Sequence, residues 1–312
     1  MIEVFHFNAG KLCQNLSPSE IKKALQDSGT LWINLNGSGD DEIQEILATV
    51  FEFHPLTIED CRHVSKYPKT DSLANYSFLI FLSPKTSVPI HAKIFMRELD
   101  IYLLPKAIVT HHKEPIRAVQ RVRDTLAKDG GELLSKGPDF VLHALLDIII
   151  DRYLASAQAI SDRSRDLEDL LGHSRTTLKT LEEILDLSYS SRALKVLVEQ
   201  SAVILKDFRD HAEHGLFQQT SLIYFSDLDD HMTQTIGSLT LSIDRLECAR
   251  LLFEAKERAR GSHSLLLLCL LLILALGFLS MQSPLPTLVT QCFLLLGGLG
   301  GFYFWVNRGQ RS

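Results

Sequence analysis

From residue 261 to residue 312 the only charged side chains are Arg308 and Arg311. Residues 265–282 read LLLLCLLLILALGFLSMQ. At ~1.5 Å per residue, about 18–20 such residues cross a ~30 Å hydrocarbon core. Ser283-Pro284-Leu285-Pro286 then breaks the run, because proline lacks the donor a helix interior needs. A second uncharged run, 288–306, ends in Phe302-Tyr303-Phe304-Trp305, the aromatic belt of a membrane interface. The expectation is a first span over 265–283, an external loop at 284–287, a second span over 288–306 and a cytosolic tail over 307–312. A buried hairpin in a soluble core is the weaker alternative, since soluble helices are rarely apolar all round.

The rest of the chain is different. The first 260 residues carry 30 basic and 38 acidic side chains, a formal charge of −8, which argues against a nucleic-acid partner. Lys256, Arg258 and Arg260 precede the first span, and Arg308 and Arg311 follow the second. The positive-inside rule places both termini, and the whole body, in the cytosol. MIEVFH at the start has no secretory-signal pattern. The five cysteines, Cys13, Cys61, Cys248, Cys269 and Cys292, form no C-x-x-C pair. Reduced thiols are expected, with neither a disulfide framework nor a zinc knuckle.

Within the body, strand and helix signals alternate over the first ~115 residues. Residues 2–7, 31–35 and 77–82 read as strands, 40–51 as a helix, and 99–104 with 107–111 as a hairpin. Beyond Pro115 the segments 117–128, 139–171 and 177–208 have helical spacing. Phe225, Leu228, Met232, Ile236, Leu239, Ile243, Leu246 and Phe253 then form one stripe. No proline lies between Pro138 and Pro284, so one helix is expected to run from about residue 216 into the first span. Such a stripe needs covering, by an oligomeric stalk or by the other long helices of its own chain. The predicted fold is an α+β cytosolic domain (1–135), long cytosolic helices (136–215), and a stalk helix (216–264) that continues into the first of two C-terminal transmembrane helices.

That order resembles the CorA-type divalent metal-ion transporter family, which includes magnesium channels and ZntB-like zinc transporters. His54-Pro55-Leu56-Thr57-Ile58-Glu59-Asp60 is similar to the family's HPL-x-x-ED segment. Tyr67-Pro68-Lys69 with Asn75-Tyr76-Ser77-Phe78 resembles its RPK…Y-x-F stretch, and Tyr224-Phe225-x-Asp227-x-x-Asp230-His231 the head of its stalk helix. The resemblance implies a homo-oligomer, by analogy a pentamer, in the inner (plasma) membrane. It would conduct Mg²⁺, Co²⁺, Ni²⁺ or Zn²⁺ under control of the cytosolic domain, with the lipid bilayer and divalent ions as its partners. No cofactor is required beyond the divalent cation, as cargo or as regulatory ligand. A non-conducting, membrane-anchored sensor or scaffold of the same architecture is the alternative. Phosphate-loop, dinucleotide and hydrolase motifs are absent from the sequence, so an enzyme is not expected.

The resemblance also assigns sites. The family signature Gly-Met-Asn at the outer end of the first span corresponds here to Ser280, Met281 and Gln282. Those three residues are the expected pore entrance, where a ring of neutral carbonyls binds the waters of a hydrated ion. Leu270, Ile273 and Gly277 would face the pore. Asp227 and Asp230 match the stalk-head position of a regulatory metal site. The family's second carboxylate, after the strand at 77–82, is replaced by Ser83-Pro84-Lys85. Independently of the resemblance, His211 and His214 share a helix face at i, i+3 and form a weak metal candidate. His111 and His112 are weaker still, because neighbours on a strand face opposite sides.

Overall fold

A computed structural model describes residues 1–85, 95–173, 177–210 and 216–280. They fall into two compact units, Met1–Arg250 and the segment from Leu251 onward.

The first unit opens with a seven-stranded sheet in the order β2-β1-β3-β7-β6-β5-β4. The strands are β1 Ile2–Asn8, β2 Lys11–Gln14, β3 Thr30–Asn36, β4 Lys69–Ser72, β5 Ser77–Pro84, β6 Met96–Leu103 and β7 Ala107–His112. The β3–β7 pair is parallel and the others are antiparallel. Every residue of β5 and β7 is buried, the mark of strands covered on both faces. One face carries Ile33, Tyr102 and Val109 into a core with Ile46, Leu47, Phe53 and Ile58. Ile46 and Leu47 come from the π-helical segment Gln44–Val50 that continues α2 Asp40–Ile43, Phe53 from the link after it, and Ile58 from α3 Pro55–Arg62, beside α1 Pro18–Ala24. On the other face the Trp32 indole donates to Thr110 Oγ1 at 3.0 Å.

Three strands and the hairpin stand where the sequence pattern predicts them. β2 and β4 carry no such pattern; they are short, polar and at the two edges, so only pairing with a neighbour makes them strands. The helix expected over 40–51 is α-helical for four residues only. The wider π turn that follows keeps Ile46, Leu47 and Val50 all buried.

Helix α4 (Arg117–Asp129) ends at Gly130, and α5 (Glu132–Ser135) follows. Three long helices succeed them: α6 Pro138–His173, α7 Leu178–Asp210 and α8 Leu222–Ser280. Tyr153 of α6 donates to Leu82 O, and the Arg152 guanidinium to Pro84 O at 3.0 Å, so α6 rests on the sheet at β5. Contacts climb together along α6 and α8: Phe140 meets Tyr224, and Arg245 approaches Ser161. The two helices are therefore parallel, and α7 runs against both, with Arg163 pairing Glu183 and Arg209 pairing Asp229.

Of the predicted stripe, Phe225, Leu228, Met232, Leu239 and Leu246 are buried in the first unit and Ile236 and Ile243 half-buried; in place of those two, Thr235, Ser242 and Ala249 complete the buried side of the stripe. Between the two open alternatives, the chain's own α6 and α7 cover it. The helix begins at Leu222 rather than near 216, because residues 216–221 are tied elsewhere. Buried Asp139 accepts from Gln218 N at 2.9 Å, and the Gln218 amide donates to Lys136 O.

In the second unit, leucines 265–268, 270–272 and 274 are exposed. The described residues contain one helix long and apolar enough to cross a membrane, and it includes this run. The second span, the loop at 284–287 and the tail lie outside the described residues.

The clasp at Asp139 generates a prediction. Asp139→Ala removes the acceptor of the Gln218 N–H, a part-buried hydrogen bond worth about 1 kcal/mol. Gly137→Ala should destabilise as well: Gly137 has φ +128°, and a Cβ there would lie 2.5 Å from Gln218 Nε2. Urea unfolding in mild detergent measures both; unchanged midpoints would refute the clasp.

Candidate functional site

Asp147 and Asp151 are one turn apart on α6, and Asp227 and His231 one turn apart on α8. Parallel packing of the two helices brings the pairs together. Ligand atoms of Asp147, Asp151 and His231 lie within 4.8 Å of one another. His231 Nδ1 is 3.7 Å from Asp151 Oδ1, and its Nε2 is 3.9 Å from Asp227 Oδ2. Both distances exceed a hydrogen bond, and His231 Nδ1 is buried with no hydrogen-bond partner. His143, one turn before Asp147, packs edge-on against Tyr224 and Phe225, and its Nε2 is likewise unpartnered.

The charges in this cluster are unbalanced. Burial, then Asp151, pushes the Asp147 carboxyl above its ordinary range, while His143 and His231 oppose the shift. Burial lowers the His143 imidazole, against the pull of Asp147 and Asp227, and favours its neutral form. The carboxylates of Asp147 and Asp151 with the His231 imidazole, and Asp227 beside them, are a donor set for a divalent cation. The oxygens suit Mg²⁺, and the nitrogen adds affinity for Co²⁺, Ni²⁺ and Zn²⁺.

Of the residues singled out from sequence, Asp227 belongs to this cluster. Asp230 is exposed and outside it, and Asp229 is held by Arg209 of α7. Asp147 and Asp151 escaped notice in a charge-rich helix. The signal was a D-x-x-x-D on α6 and a D-x-x-x-H on α8, which mean nothing until the helices are known to be parallel neighbours. Leu270 and Ile273 lie in the apolar part of α8, exposed and half-buried respectively, and Gly277 and Ser280 fall in its last residues. Met281 and Gln282, and the His211/His214 pair, lie outside the described residues.

The sequence profile of the CorA-like Mg²⁺ transporter protein family matches residues 27–279. The chain belongs to the CorA family. YfjQ of Bacillus subtilis is 28% identical over 211 residues, covering 66% of this chain and 62% of YfjQ. The cobalt/magnesium transport protein CorA of Thermotoga maritima is 22% identical over 237 residues, 75% of this chain and 66% of that protein. The chain thus spans 62% and 66% of the lengths of these two curated relatives. The complete CorA magnesium transporter of Methanocaldococcus jannaschii superposes with a TM-score of 0.71 at 15% identity, covering 100% of this chain and 98% of that one. At that identity the superposition establishes the fold: this CorA-family chain has the α/β body and long C-terminal helix expected of it.

The site carries a pH signature. Without an ion, Asp147 has a raised folded pKa. Its stabilising contribution is therefore present below the ordinary carboxylate range and lost as pH rises through the raised value. A divalent ion binds the deprotonated form and offsets that loss. The upward shift of the melting temperature by Mg²⁺ should grow from pH 5 to pH 8, and Asp147→Asn or Asp227→Ala should flatten it. An equal Mg²⁺ shift in parent and variants, read by thermal scanning or protease resistance, would reduce the carboxylates to a solvated helix face.

Proposed function

We propose that this protein is a homo-oligomeric channel or transporter for divalent metal cations in a cell membrane, with Mg²⁺ as first cargo and Co²⁺, Ni²⁺ and Zn²⁺ as competitors. The observation that carries the reading is the carboxylate–imidazole cluster between α6 and α8, the latter being the helix that holds the apolar segment. Family membership supports cation transport, and the Thermotoga and Methanocaldococcus relatives are named for cobalt and magnesium. The activity is transport, not an enzyme reaction.

An ion in the cluster would draw α6 and α8 together and hold the helix in a closed arrangement. When cytosolic Mg²⁺ falls, Asp147, Asp151 and Asp227 repel one another and α8 is freed to shift. That coupling closes the path when the cell is replete. One apolar helix cannot enclose a pore, so several copies, by family resemblance five, surround it with Leu270, Ile273 and Gly277 inward. Large apolar side chains left exposed on α7, Tyr189, Val196 and Val203, suit contact between copies. Rings of leucine gate by dewetting. The basic residues flanking the two expected spans support a topology with both termini in the cytosol, in an inner (plasma) membrane.

At the entrance, Gln282 offers a carbonyl to the ion's water shell beside Ser280 and Met281. It has one more methylene than asparagine, which loosens the ring, and modest selectivity among divalent ions follows. Reconstituted vesicles with an internal Mg²⁺ dye test the reading. The parent should admit Mg²⁺, Gln282→Ala should change rate or ion preference, and the Ser280→Gly/Gln282→Asn pair should sharpen preference for the hexahydrated ion. Asp227→Ala should stay open at internal Mg²⁺ that closes the parent. No flux from either the parent or the paired variant would favour the sensor or scaffold reading.

A further inference from the structure

A second set of metal-binding side chains lies in the sheet domain, far in sequence from the α6–α8 cluster. Cys61 comes from α3, Asp100 from β6 and His111 from β7, and each is at most 1% exposed. Asp100 and His111 are direct cross-strand partners, and Cys61 lies over them on the same face. Ligand atoms of the three lie within 4.8 Å of one another. Asp100 Oδ2 bonds His111 Nδ1 at 2.7 Å, while Oδ1 is buried with no hydrogen-bond partner. The Cys61 sulfur sits 3.0 Å from the Tyr102 hydroxyl, which donates to Thr57 O at 2.8 Å. A cavity of about 140 Å³, lined by Glu98, Asp100, His111, Lys113 and their neighbours, reaches the cluster from its open side.

Three different donor types from three elements converge in a dry interior, where an unpaired carboxylate oxygen is costly. Burial, with a further push from Asp60, drives Asp100 up to about 7 against the opposing pull of Glu98, Cys61 and Lys113. A cation removes the conflict. Thiolate, imidazole and carboxylate together select Zn²⁺ or Co²⁺ over Mg²⁺, which prefers oxygen and keeps its water. Zinc bonds of about 2.0–2.3 Å place tetrahedral ligand atoms roughly 3.5 Å apart, so the Asp100–His111 pair, now 2.7 Å apart, opens slightly while Cys61, within 4.8 Å of both, closes by up to about an ångström. Glu98, half-buried at the cavity and two residues from Asp100 on β6, or a water entering there, completes four-coordination.

We propose that Cys61, Asp100 and His111 form a Zn²⁺-class site that staples α3 to β6 and β7. Binding replaces the Asp100–His111 hydrogen bond with bonds to the ion and releases the thiol proton to solvent; no electron changes hands. Mg²⁺ does not compete there, so the site reports on a different class of ion from the α6–α8 cluster.

Co²⁺ titration of the full chain, stripped with chelator in mild detergent, tests this. The parent should develop a thiolate-to-cobalt charge-transfer band at one ion per chain, erased by Zn²⁺ and untouched by excess Mg²⁺. The band should be lost in Cys61→Ala and retained in Cys13→Ala and Cys248→Ala. Zn²⁺ should also protect Cys61 of the parent from a thiol reagent, a readout that needs no variant to fold. Absence of the band in the stripped parent, its survival in Cys61→Ala, or undiminished Cys61 labelling under Zn²⁺ would overturn the site.

Discussion

Like charge held at short range between two parallel helices is the constraint on which the first unit turns. Asp147 and Asp151 on α6 stand opposite Asp227 and His231 on α8, and the stripe below them forbids the helices to separate freely. Phe225, Met232, Leu239 and Leu246 are fully buried, so hydrophobic burial pulls α8 in along its length. The carboxylates push outward at its head. A cation relieves that push, and its loss restores it. The opposition makes the head of α8 a natural place for an ion to bias position.

The sheet domain serves this arrangement as a platform. Tyr153 and Arg152 fasten α6 to the end of β5, and Asp139 and Gln218 clasp the entry of α6 to the approach of α8. The start and the middle of α6 are thereby fixed through buried Asp139 and Tyr153, whose polar atoms are expensive to leave unpaired. Ion pairs farther along, such as Arg163 with Glu183, are partly exposed and contribute less.

Two donor chemistries stand in the first unit. The α6–α8 cluster is mostly oxygen and partly open to water, with Asp151 58% and Asp227 64% exposed. The Cys61–Asp100–His111 set is mixed in donor type and its three residues are at most 1% exposed. Hard, strongly hydrated ions suit the first and softer ones the second.

The apolar segment, the helical stripe on α8, the central strands and the family resemblance were all legible in the sequence, because each is a local pattern with its own period or composition. Asp227 was legible too, through the motif around it. The edge strands β2 and β4, the π turn and the start of α8 at Leu222 were not, since pairing and a clasp to Asp139 decide them. Nor could any spacing reveal that Asp147 and Asp151 meet His231, or that Cys61 meets His111. Such sites join residues tens of positions apart, and only the packing of helix on helix and strand on strand decides which side chains share a pocket.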